Sequence, residues 1–171
     1  MSRIEEYLDR IEERLGELWL PRIYRQRILG MRTRAYSYPP LARNAPPEIQ
    51  HTLLGVELKV GRHRMLCPDL ATARYLAVLS RLNAAAVAIP YDITRISAIA
   101  DELDSSWHFM LLLADDLAGE ESGPFRTRLR RQLIAKVSKE IANAGAGRPI
   151  PEFKQSTKQR IQPQKGAKTT K

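Results

Sequence analysis

The chain reads as an α/β fold, with α+β as its alternative: a small sheet with helices packed on it, an amphipathic helix at the N-terminus and a basic helix toward the C-terminus. Three observations predict this. Ile4, Leu8, Ile11, Leu15 and Leu18 recur at helical spacing. Leu54, Val56, Leu58 and Val60 alternate with Gly55, Glu57 and Lys59, the period of a half-buried strand. Phe125, Leu129, Leu133, Val137 and Ile141 make one apolar stripe through a segment otherwise rich in Arg and Lys. The 171 residues suit one domain with appendages, and few aromatics (6%) imply an aliphatic core.

The first segment, residues 1–29, is helical. Acids dominate the start of its first helix, as the macrodipole prefers. Its 4–3–4–3 spacing fits an amphipathic helix packed on its own domain, or a homodimer seam through residues 4–18. Pro21 ends or kinks this helix, or starts a second one to about residue 29. Residues 30–52 read as an irregular loop, because Gly30, Pro39, Pro40, Pro46 and Pro47 exclude a long helix. The strand at 54–60 turns at Gly61-Arg62-His63 into a short return strand at 64–67. Pro68-Asp69 opens a helix that runs to Leu82 and stops near Asn83, and residues 86–89 form a buried strand. A parallel crossover between 54–60 and 86–89 would be right-handed. Asp92 or Thr94 caps a helix to about Leu103, and Ser105-Ser106 caps another over 107–117, whose run 109–114 also reads as a buried strand. The core thus spans 30–123, the basic helix 124–143 and a disordered cationic tail 144–171.

Charge is segregated along this layout. Residues 20–44 hold six Arg and no acid; residues 124–171 hold thirteen bases against two acids; residues 45–123 hold six bases against eleven acids. Cations clustered this way meet a polyanion, because each Lys or Arg on a phosphate releases a counterion. The expected function is therefore nucleic-acid binding, DNA or RNA, through the phosphate backbone. The contacting residues are Arg22, Arg25, Arg27, Arg32, Arg34 and Tyr36, with Arg126, Arg128, Arg130 and Arg131. Tyr24, Tyr36 and Tyr38 among these arginines stack on bases or anchor the loop. A single cysteine, Cys67, excludes an internal disulfide, and the charged N-terminus has no apolar signal region. No apolar run is long enough for a membrane span, so the expected location is the cytoplasm, with no membrane partner. The three histidines lack zinc-ligand spacing, and Gly145-Ala146-Gly147 lacks the Lys-Ser/Thr of a phosphate loop.

One constellation can carry chemistry. Glu57 and Lys59 project from one face of a strand, about 7 Å apart at their Cα atoms. A carboxylate there can ligate Mg²⁺, and the neighbouring amine can orient a water or stabilise charge on a phosphate. Val56-Glu57-Leu58-Lys59-Val60, followed by a helix and an apolar strand at 86–89, resembles the second half of the PD-(D/E)XK nuclease core, closest to the archaeal Holliday-junction resolvases in layout. The resemblance covers residues 53–92. It implies that Glu57 is a metal ligand and Lys59 the catalytic lysine, with Glu12 or Glu13 as a supporting acid and Mg²⁺ as the cofactor. The family's upstream Asp is missing; Glu48, after Pro47, is the acid that could replace it. The alternatives to plain binding are thus a Mg²⁺-dependent nuclease or a degenerate relative, and, further off, a homodimeric adaptor.

Overall fold

A computed structural model describes residues 1–37, 46–82 and 86–147. Among the described residues, five α-helices pack with two small antiparallel sheets. This is the α+β form of the predicted fold.

Helix α1 (Arg3–Leu15) starts in a reciprocal capping box, Ser2 with Glu5, and ends at Gly16, whose φ of 52° suits glycine. Its seam is used internally: Leu8, Ile11 and Leu15 are buried in the chain's own core. Pro21 sits in the first turn of a short helix α2 (Leu20–Ile23), where its missing N–H costs nothing, and the chain runs on into a π-helical turn, Tyr24–Ile28.

The 30–52 segment is not wholly irregular. Strands β1 (Thr33–Ser37) and β2 (Glu48–Thr52) lie on either side of the proline cluster, which breaks helix but leaves these short strands intact. Strand β3 (Gly55–Val60) pairs antiparallel with β2 and with β4 (His63–Cys67). Helix α3 (Leu70–Ser80) is capped by Asp69, whose carboxylate accepts the Thr72 N–H at 2.7 Å. The predicted stop at Asn83 falls outside the described residues. Strand β5 (Ala86–Pro90) pairs antiparallel with β1 and not with β3, so the expected parallel crossover is replaced by two separate sheets.

Helix α4 (Ile96–Leu117) is one continuous helix where two were predicted. Asp92 caps the 3₁₀ turn before it. Ser106 caps nothing: it is fully buried and donates to the Leu18 carbonyl at 2.6 Å, so its hydroxyl is satisfied mid-helix. The apolar face Ile99, Leu103, Trp107, Met110 and Ala114 runs unbroken past it, and 109–114 is helical. Helix α5 (Gly123–Ala144) completes the core with Leu129, Leu133, Val137 and Ile141. The cationic tail beyond residue 147 lies outside the described residues. Among the described residues, no helix is long and apolar enough to cross a membrane.

Candidate nucleic-acid interface

Helix α5 starts where Ser122 accepts the Phe125 N–H, with Pro124 in its first turn. The four-residue recurrence of its buried side chains leaves the opposite side to solvent. Arg128, Arg131, Gln132, Ala135 and Lys139 are all exposed there and form a ridge. From Arg128 to Lys139 the ridge is about 16 Å long by the helical rise. The first turn holds no acid, so Arg126 and Arg128 stand at the positive end of the macrodipole, where cations are unfavourable.

Arg126, Arg128, Arg131 and Lys139 make no ion pair among the described residues. Arg130 differs: it grips both oxygens of Asp115, with Nε 2.8 Å from Oδ1, and is neutralised. Lys136 is bracketed by Glu12 at 2.6 Å and Asp9 at 3.4 Å and lies over the Trp19 ring. Partial burial pulls its pKa down, but the two carboxylates outweigh this and hold it above the usual lysine value.

The first basic segment is largely spoken for within the chain. Arg22 faces Glu17 at 3.7 Å, Arg25 faces Glu140 at 3.8 Å, and Arg27 faces Glu102 at 2.8 Å. Arg32 stacks on the Tyr91 ring, 4.9 Å from its centroid. Arg34 is exposed on β1 without an ion pair among the described residues. Tyr36 is half-buried and packs against the core, where desolvation pushes its phenol up. Tyr24 is fully buried: its hydroxyl accepts the Ala88 N–H at 2.9 Å and donates to the Gly145 carbonyl at 2.6 Å. Arg43 and Tyr38 lie outside the described residues.

The Glu57–Lys59 face is the outer face of the three-stranded sheet, since Leu58 and Val60 point the other way into the core. Register sets two cross-strand rows on it, Glu48–Lys59–Arg64 and Gln50–Glu57–Leu66. Lys59 Nζ stands 4.0 Å from Glu48, so these two come together. Glu57 Oε2 is buried with no hydrogen-bond partner among the described residues. Glu12 is engaged by Lys136, and Glu13 is exposed. Among the described residues no three His, Cys, Asp or Glu side chains group to hold a metal ion. Cys67 is buried and its thiol is pushed up by desolvation, as for an inert core thiol.

Two features escaped the sequence reading. A cavity of about 500 Å³ opens between β2, α3 and α4, with His51, Arg81 and His108 in its wall. In the same wall, Arg74 is clamped by Asp101 at 2.6 Å and Asp104 at 3.5 Å. The second is the turn between β2 and β3, where Leu53 is fully exposed and Leu54 is 81% exposed. Apolar residues at a turn were the available signal, hidden by counting Leu54 as the start of the strand. No protein family, curated protein or solved structure matches the chain.

Proposed function

We propose that the protein binds nucleic acid through the phosphate backbone, with the outer ridge of α5 as its centre. The carrying observation is that Arg128, Arg131 and Lys139 stand exposed on one helix face without a carboxylate partner among the described residues, whereas Arg22, Arg25, Arg27 and Arg130 each have one. Unneutralised cations at helical spacing are what counterion release requires; cations already paired must first give up their acid. Anisotropy titrations of labelled duplex and single strands between about 50 and 200 mM salt test this. Replacing Arg128, Arg131 and Lys139 together by Ala is expected to lower the slope of log K against log salt by about one per lost contact. An unchanged slope overturns the assignment.

A second reading, a metal-dependent nuclease, is favoured by the buried, unpartnered Glu57 Oε2 beside Lys59. Glu57, with Glu48 and Gln50 across the strand pair, offers the oxygen donors a hard cation takes, and a bound Mg²⁺ would supply charge for a phosphate and a more acidic water. Lys59, held near Glu48, would stabilise negative charge developing on that phosphate. Mg²⁺-dependent cleavage that disappears in both Glu57→Ala and Lys59→Ala is the expected result; binding that survives both variants, with no cleavage of duplex, junction or single strands, rejects this reading.

A further inference from the structure

The turn joining β2 to β3 has two residues, and they are Leu53 and Leu54. Two-residue hairpin turns ordinarily take Asn, Asp or Gly, which tolerate the left-handed conformations involved. This turn is instead braced from its flanks. The Thr52 hydroxyl accepts the Leu54 N–H at 3.2 Å and donates to the Gly55 carbonyl at 3.0 Å, and Gly55 adopts φ of 126°. Leu66, 60% exposed on the outer face of β4, lies against Gly55, its Cδ1 3.6 Å from where a Cβ would stand. Three leucines are thus held in solvent at one end of a sheet, the two at the tip in a turn that is pinned rather than loose.

We infer that this tip is an apolar wedge that enters the base stack of duplex DNA, with the cations of the same sheet resting on phosphate. The inference rests on the nucleic-acid reading above and names its substrate as a duplex that the protein deforms. Leucine is among the side chains that unstack a base step and kink the duplex. Arg64, exposed and without an ion pair among the described residues, stands about 16 Å along the ladder from Leu54 beside Lys59, which must first leave Glu48, and Arg62 lies in the turn beyond them. Such wedges enter through the minor groove, about 7.5 Å deep, and the long Arg and Lys side chains extend over the remaining distance, so the cations can reach backbone while the tip reaches bases. A lipid surface fits less well. Headgroups lie only about 5–10 Å above an inserted apolar tip. The residues at that height, His51, Thr52, Gly55 and Leu66, include no Lys or Arg.

The test uses the full chain and a duplex carrying 2-aminopurine at internal steps. Wild type is expected to raise the probe's emission by about threefold or more as its base unstacks. Leu53→Ser with Leu54→Ser, at positions too exposed to affect folding, is expected to abolish that rise while anisotropy still reports binding. Wild type that binds the duplex without changing the emission overturns the wedge and leaves backbone binding standing. Failure to bind any nucleic acid overturns both. Binding to phosphatidylserine vesicles that is lost in the double variant, with DNA unstacking intact, overturns the wedge by assigning the tip to lipid.

Discussion

Tyr24 shows how a residue among arginines comes to serve the core. Its hydroxyl holds the Ala88 N–H on β5, and the Tyr75 hydroxyl donates to the Ala88 carbonyl. Two phenols therefore occupy the edge of β5 that β1 does not cover, standing in for a missing strand. Removing one leaves a buried backbone group unsatisfied, so Tyr24→Phe is expected to cost about 1–3 kcal/mol and to lower Tm by a few degrees, read by thermal melts followed by circular dichroism. Burial also raises the Tyr24 phenol. A raised folded-state value means a stabilising contribution that is complete below the unfolded tyrosine value of about 10 and is lost as pH rises through the folded one. Urea unfolding of wild type is expected to weaken steeply above about pH 10, and less steeply in Tyr24→Phe. Equal slopes would place the alkaline loss on other groups.

At the scale of elements, the proposed function puts folding and binding in conflict on α5. Arg126 and Arg128 occupy its opening turns, where an acid would be preferred. Arg126→Glu is accordingly expected to stabilise the fold by about 0.3–1 kcal/mol while weakening duplex affinity, a split that denaturation and anisotropy on one preparation can resolve. A loss of both stability and affinity would mean that the arginine is structural. Arg27→Ala, by contrast, removes a cation already held by Glu102 and is expected to change affinity less than Arg128→Ala.

Elements with a strong local period were legible in sequence. The stripes of α1 and α5, the alternation in β3 and the Asp69 cap of α3 each write their structure within a dozen residues. Pairing was not legible. Nothing near residue 86 says that β5 lies beside β1, and nothing near Ser105 reveals the Leu18 carbonyl that lets Ser106 sit inside a helix. The same limit applied to the interface. The basic clusters could be read directly, but not which arginines are neutralised, because Arg27 meets Glu102 and Arg25 meets Glu140 only through the fold.

Over the whole molecule, opposite charges from distant segments are matched internally. Acidic α1 lies against basic α5 through Lys136 with Glu12 and Asp9, and Arg3 reaches Glu121 beyond α4. Among the described residues, the exposed cations without an ion pair include those of the α5 ridge, Arg34 on β1, Arg64 on the outer sheet, and Arg10 and Arg14 on α1. Half-buried pairs contribute modestly and are screened by salt, so Lys136→Met is expected to lower stability by about 1 kcal/mol, less in high salt, measured by urea unfolding.

The end of α5 is also held in place. The Gly145 carbonyl is held by Tyr24, and Gly147, at φ of 79°, sits so close to Thr33 that any side chain there would collide with its hydroxyl. Beyond this point the sequence adds seven Lys or Arg against one acid. On the proposed function, the point from which these charges leave the fold lies about 24 Å along the helix axis from Arg128, equivalent to roughly seven base-pair steps. On the proposed function, Gly147→Val, which disturbs this point while keeping every cation, is expected to raise the duplex Kd in anisotropy titrations; an unchanged Kd would show that where these charges start does not matter for binding.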